Sequence, residues 1–141
     1  LKLERVSLDD IITSSDIITL HLPLNTETRG IITSERIDSM KSGAILVNCA
    51  RGGLVDENAL AAAIERGHLF AAGLDTFSSE PPNNSPFIPM DNTVLSPHCA
   101  GATLDNFDSI MERSVNNALA FLNNKPLPNK DLIYDPRPTT S

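Results

Sequence analysis

Residues 44–60, AILVNCARGGLVDENAL, constrain the fold more than any other stretch. Ala44-Ile45-Leu46-Val47 is an apolar run short enough for one buried strand. Asn48, Cys49 and Ala50 follow, then Arg51 and the pair Gly52-Gly53. Asp56 and Glu57 precede the helical spacing Leu60, Ala63, Ile64. The order is strand, tight turn, capped helix. A strand covered on both faces in a parallel sheet is apolar throughout. The turn after it lies at the strand's carboxyl end, where open α/β sheets hold ligands. Arg51 is a fixed cation there, beside two glycines whose backbone can take unusual dihedrals. The plain alternative is a surface arginine paired with Asp56 or Glu57, and this stretch alone weighs the two evenly.

The chain of 141 residues can bury a proper core as one domain. A formal net charge of -7 argues against nucleic acid or an anionic membrane as a partner. No apolar run reaches the length of a membrane helix, and no signal-peptide pattern opens the chain, so a cytoplasmic location is expected. Cys49 and Cys99 lack metal-ligand spacing, so no metal site is expected, and two cysteines make no disulfide framework in a chain this long.

Residues 1–6 alternate apolar and charged, as a short edge strand does. Ser7 is placed to cap a short helix, and Ile17-Ile18-Thr19-Leu20-His21-Leu22 is a β-branched strand that Pro23 stops. A polar loop over 24–30 leads to a helix capped by Thr33 or Ser34 that runs through Met40 and closes on Lys41-Ser42-Gly43. After the central strand and its turn, the spacing predicts a helix over 56–66 and a buried strand over 69–75. A proline- and asparagine-rich segment over 76–91 leads to a last strand, Thr93-Val94-Leu95. Thr103 is placed to cap a long helix with Leu104, Phe107, Met111, Val115, Ala118, Leu119 and Leu122 on one face. Residues 123–141 carry four prolines and read as a tail that docks elsewhere or is disordered. Strand–helix alternation at this rhythm means an α/β fold: part of a doubly wound, Rossmann-like parallel sheet with right-handed crossovers and a long C-terminal helix.

Arg51, Glu80 and His98 each follow an apolar strand, and Asp75 ends its own. Carboxyl ends of parallel strands converge, so these residues can share one cleft. Taken singly, a histidine is more often structural and a loop carboxylate solvated; strand-end partners lower that prior for His98. A carboxylate beside a histidine orients the ring and favours its protonated form. Asp75 is either a ligand for an amide or hydroxyl or the cap of the next turn. His21 and His68 lack a nearby carboxylate pattern and read as structural. An arginine with a His–carboxylate pair suits a substrate whose carboxylate is clamped while the adjacent carbon alternates between carbonyl and hydroxyl. The hydride must come from a cofactor.

Four segments carry a resemblance: SDIITLHLPL at 15–24, NCARGGLVD at 48–56, GLDTF at 73–77 with Glu80-Pro81, and SPHCAGAT at 96–103. Together they resemble the D-isomer-specific 2-hydroxyacid dehydrogenase family. The resemblance implies that Arg51 binds the substrate carboxylate and carbonyl, that His98 is the acid/base and that Glu80 holds and tunes it. It further implies that Asp75 binds the nicotinamide carboxamide and that Leu22, Cys49, Ala50 and Gly101, with Arg51 and His98 at its border, line the NAD site. NADP is left open, the substrate is a small 2-hydroxy or 2-keto acid, and the full-length protein is a homodimer. Residues 1–122 correspond to part of the nucleotide-binding domain, and residues 123–141 to a tail returning toward a substrate domain.

The family's first strand, its GxGxxG turn and its acidic ribose-binding residue have no counterpart in these 141 residues, and the chain is expected to be a piece of a longer protein. Two rivals stand beside the enzyme: a corepressor-type binding module, since C-terminal-binding-protein-type corepressors share the fold and the Arg, Glu and His, and an inactive fragment. The plain composition, without regulatory low-complexity tails, favours the enzyme.

Overall fold

A computed structural model of the protein describes residues 3–128. It divides into two compact units, Leu1–Ala100 and Gly101–Ser141.

The first unit is a parallel sheet with helices on one face. In chain order it contains α1 (Leu8–Ser14), β1 (Ile17–Leu20), α2 (Ser34–Ser39), β2 (Ile45–Asn48), a short 3₁₀ turn (Gly52–Leu54), α3 (Glu57–Glu65), β3 (Ala71–Leu74) and β4 (Thr93–Leu95). The strands run β1-β2-β3-β4 across the sheet, every neighbouring pair parallel. Register matches Leu20 with Asn48, Asn48 with Leu74 and Leu74 with Leu95, so the strands end level and their following loops share one edge.

Local chemistry sets the helix starts. Ser7 and Asp10 form a capping box: the Asp10 amide donates to Ser7 Oγ at 3.1 Å and the Ser7 amide to Asp10 Oδ2 at 3.3 Å. Thr33 caps α2 by accepting from the Arg36 amide, and Asp56 caps α3 by accepting from the Ala59 amide at 3.0 Å. Such caps each contribute about 1 kcal/mol. The helices lie side by side, α1 on α2 and α2 on α3. They bury Ile12, Ile37, Leu60 and Ile64 against Ile18, Leu20, Leu46, Ala72 and Leu74 of the sheet.

Three expectations are corrected. Residues 3–6 form no strand: Leu3 stays 92% exposed and the chain commits at once to the Ser7 cap. The strands are covered on one face only among the described residues. Alternate positions are buried on β1, β2 and β3, whereas Ile17 is 62% exposed on β1 and Val94 76% on β4. A continuous apolar run therefore marks strands whose second face is apolar without being covered in this unit. Third, Gly52 and Gly53 take ordinary backbone angles; the positive-φ glycines are elsewhere. Their function is close approach. A Cβ on Gly52 would lie 1.9 Å from the Phe77 carbonyl carbon and 2.3 Å from the Ser78 nitrogen.

The second unit contains α4 (Leu104–Leu122). Its apolar stripe includes Leu104, Phe107, Met111, Val115 and Leu119, all exposed. Thr103 stands at the cap position but makes no side-chain cap bond. Its hydroxyl instead engages Asp105, whose carboxyl that hydrogen bond holds below the ordinary aspartate value. Of the tail, residues 129–141 lie outside the described residues. No helix among the described residues is long and apolar enough to cross a membrane.

Candidate active site

The site is built on the loops after β2, β3 and β4. The first begins with Asn48, the last residue of β2, 1% exposed. Its Oδ1 accepts from the Ala50 amide at 3.0 Å and its Nδ2 donates to the Arg51 carbonyl at 2.8 Å. This side chain replaces the ladder partners the strand has just run out of and folds the chain into the Arg51 turn. Arg51 Nη1 donates to the Ala50 carbonyl at 2.6 Å, and Arg51 has no ion pair among the described residues. The surface-pair alternative fails: Asp56 caps α3, and Glu57 Oε1 accepts from the Ser78 amide at 2.6 Å and the Ser78 hydroxyl at 2.9 Å.

The second loop carries Glu80, whose peptide bond to Pro81 is cis. Both carboxylate oxygens are engaged: Oε1 accepts from the Phe77 amide at 3.0 Å, and Oε2 lies 2.9 Å from His98 Nδ1. The His98 hydrogen bond, then the Phe77 amide, hold the Glu80 carboxyl below the ordinary glutamate value, and the positive charge of Arg51 adds to this. An ionised carboxylate only accepts, so the shared proton sits on Nδ1, and Nε2 is the ring nitrogen left for another partner. The pair is half exposed, at 44% for His98 and 38% for Glu80.

The third loop holds His98 at φ 55, a left-handed conformation uncommon for a residue with a Cβ. Asp75 holds the loop there. It is 2% exposed; its Oδ1 accepts from Ser96 Oγ at 2.6 Å and the Cys99 amide at 2.8 Å, and its Oδ2 from the Ala100 amide at 2.9 Å. Burial raises the Asp75 pKa, but the Ser96 hydroxyl and the Ala100 and Cys99 amides, aided by His98, outweigh it and leave the carboxyl below its ordinary value. Asp75 therefore does not cap the next turn; it is an ionised hub under the His98 loop.

Two cavities open along this edge. One, of about 380 Å³, is lined by Arg29, Arg51, Gly52, Phe77, Glu80 and His98 among others. The structure thus brings together Arg51, Glu80 and His98. The other, of about 630 Å³, lies between the ends of β1 and β2 and is walled by His21, Leu22, Pro23, Leu24, Cys49 and Ala50, with Arg51 common to both. Volumes of this order suit small-molecule sites. Gly101 begins the second unit. Cys49 and Cys99 are free and exposed. His21 Nε2 lies 2.9 Å from Thr19 Oγ1, and His68 Nε2 3.1 Å from the Ile37 carbonyl, at the end of α2. Sequence reasoning missed Asn48 and Ser96 as positioning residues and Arg29 as a cavity residue; a polar side chain at the last position of an apolar strand was the available signal for Asn48.

The family model for the D-isomer specific 2-hydroxyacid dehydrogenase, NAD binding domain, matches residues 1–100. The chain belongs to this family. Its relatives include the D-3-phosphoglycerate dehydrogenase of Mycobacterium tuberculosis, 47% identical over 108 residues that make 77% of this chain and 20% of that protein. The glyoxylate reductase of Thermofilum pendens is 39% identical over 135 residues, 93% of this chain and 40% of that one. Among solved structures, D-lactate dehydrogenase from Aquifex aeolicus complexed with NAD and lactic acid superposes with a TM-score of 0.78 at 34% identity, covering 84% of this chain and 40% of that one. The NAD-dependent formate dehydrogenase from Staphylococcus aureus in complex with NAD gives 0.82 at 32% identity, covering 89% and 38%. The chain spans between a fifth and two fifths of the length of these relatives.

Family membership makes NAD(P) the cofactor. The 630 Å³ cavity fits the nicotinamide half of the group: its wall is apolar at Leu22 and Leu24 and small at Ala50, with the His21 ring and the Arg51 guanidinium as its polar groups. The pyrophosphate half has no glycine-rich turn among these 141 residues.

Proposed function

We propose that the full-length protein interconverts a small 2-keto acid and its 2-hydroxy acid with NAD(P), using Arg51, Glu80 and His98. The observation that carries this reading is an Arg51 guanidinium, without an ion pair among the described residues, in the same cavity as a hydrogen-bonded Glu80–His98 pair. NAD(P)H, when bound, supplies the hydride that the keto carbon accepts. Arg51 forks onto the substrate carboxylate and polarises the carbonyl beside it. His98, protonated at Nε2, gives that proton to the carbonyl oxygen, so carbon gains hydride and oxygen gains the proton; oxidation runs the transfers backward. Glu80 fixes the ring through its bond to Nδ1. Leu22, Cys49 and Ala50 flank the nicotinamide, and Asp75 offers its carboxamide the one acceptor position that the His98 loop leaves. A full-length homodimer belongs to the same reading.

Turnover of glyoxylate, pyruvate and hydroxypyruvate by the full-length protein separates the enzyme from the corepressor-type module and the inactive fragment. Arg51→Lys should remove most of kcat/KM for keto acids and spare NADH affinity, because an ammonium cannot fork; unchanged efficiency would reduce Arg51 to a structural cation. Glu80→Gln keeps a hydrogen-bonding group beside the ring but removes its charge, so kcat for keto-acid reduction should fall while KM changes little. An unchanged kcat would show that Glu80 does not act through His98. For the 141-residue chain by itself, calorimetric titration with NADH should show no micromolar binding, since no glycine-rich turn is present to hold the pyrophosphate.

A further inference from the structure

The cavity that holds Arg51, Glu80 and His98 has a second guanidinium, Arg29. It comes from residues 24–30, read above only as a polar loop. The loop is a built structure. Asn25 Oδ1 accepts from the Glu27 and Thr28 amides, each at 2.9 Å, and Thr28 Oγ1 donates to the Pro23 carbonyl at 2.6 Å. The Arg29 amide closes the turn on the Asn25 carbonyl at 3.0 Å. Past it, the chain is laced to the Arg51 turn: the Gly30 amide donates to the Gly53 carbonyl and the Ile32 amide to the Leu54 carbonyl, both at 2.9 Å. Gly30 reaches this register at φ 63, a value glycine adopts freely. Gly53 is part of the fit, for a Cβ there would meet Leu24 at 3.1 Å and Arg29 Nη1 at 3.5 Å. The two arginines thus belong to one braced pair of segments.

Charge decides what this pair is for. Among the described residues Glu80 is the only carboxylate lining the cavity, and its two oxygens are committed to the Phe77 amide and to His98. Arg29 has no ion pair among the described residues. Glu80 is tied to its own two partners, so neither Arg51 nor Arg29 has a carboxylate paired with it among the described residues. A substrate with one carboxylate neutralises Arg51 and leaves Arg29 facing the bound molecule unpaired. The geometry points to Arg29 as a specificity residue for a 2-keto acid that carries a second anionic group, carboxylate or phosphate, at the end away from its keto acid. This rests on the reading of Arg51 given above.

The test is the ratio of kcat/KM for oxaloacetate or 2-oxoglutarate over pyruvate in the full-length protein, with 3-phosphohydroxypyruvate as the phosphate arm. A hydrogen bond to a charged group is worth about tenfold or more. Arg29→Gln should therefore lower the ratio about tenfold, and Arg29→Lys should recover part of it. Wild-type protein gives an independent reading: glutarate should inhibit competitively with a Ki well below that of butyrate. Ratios unchanged in Arg29→Gln for both the dicarboxylate and the phosphate substrates overturn the inference, while pyruvate turnover leaves the catalytic reading standing; glutarate no better than butyrate confines it to phosphate. If no keto acid is turned over, that reading fails and takes the inference with it. A preference confined to one arm tells carboxylate from phosphate.

Discussion

The Arg51 turn and the His98 loop lie at the same sheet edge and are held by different physics. The Arg51 turn is held by shape: Gly52 lies against the Phe77–Ser78 backbone, Leu54 is fully buried, and the neutral Asn48 side chain ties the turn from below. The His98 loop is held by charge. One buried carboxylate, Asp75, collects three donors from it, and a second, Glu80, takes the ring. A substrate-anchoring cation needs a fixed position, which packing supplies without regard to pH. A proton-transferring group needs a field around it, which only charges supply, and its geometry then depends on their ionisation.

Volume should break the first device. Gly52→Ala drives a Cβ into backbone that cannot rotate aside, and overpacking of this kind costs about 3 kcal/mol. Urea denaturation should show that loss; an unchanged midpoint would mean the two loops are free to separate. Charge should break the second. Asp75→Asn exchanges a charged acceptor for a neutral amide at three bonds, and each bond to a charged group is worth about 1.5–3 kcal/mol. Part of the loss is recovered by the amide oxygen, so about 2 kcal/mol is expected.

The pH dependence sharpens the contrast. The folded Asp75 pKa lies below the unfolded value, about 3.9. Its stabilisation is therefore complete above that value and is lost as pH falls through the lower, folded one. Urea midpoints measured downward from pH 5 should fall less steeply in Asp75→Asn than in wild type, whereas Asn48→Ala should lower stability by the same amount at every pH. Parallel curves for wild type and Asp75→Asn would count against an ionised hub.

The smallest effect is expected at Thr76, whose hydroxyl is buried with no hydrogen-bond partner among the described residues. Thr76→Val removes an unsatisfied group at nearly constant shape, so stability should hold or rise by less than about 1 kcal/mol. A clear loss would reveal a partner for that hydroxyl.

Sequence made the strands and helix starts legible because their causes are local. β-branched runs at 17–20 and 45–48 extend on their own account, and Ser7, Thr33 and Asp56 announce the helices that follow. Strand-end position also brought Arg51, Glu80 and His98 to one edge, because parallel strands that end level share their loops. What stayed hidden depends on contacts between distant segments. The glycines of the Arg51 turn suggested unusual dihedrals, but Gly52 answers to a backbone 25 positions later in the chain, a relation no window of sequence contains. Arg29 looked like loop polarity because its register with Gly53 is set by hydrogen bonds between segments distant in the chain, Gly30 to Gly53 and Ile32 to Leu54. Asp75 showed its strand-end position but not its donors, which are backbone amides and carry no side-chain signature.

The left-handed backbone of His98 has a further consequence, in time instead of space. A residue with a Cβ held at φ 55 lies uphill by about 1–3 kcal/mol, and only the surrounding bonds keep it there. The loop should therefore be the first part of this edge to open, long before the sheet unfolds. Its clock is readable: the Cys99 and Ala100 amides are sheltered from exchange with solvent only while both bind Asp75. Their hydrogen–deuterium exchange should outpace that of the Leu46 and Ala72 amides in the sheet. The interval between such openings then bounds how long His98 stays aligned with Glu80.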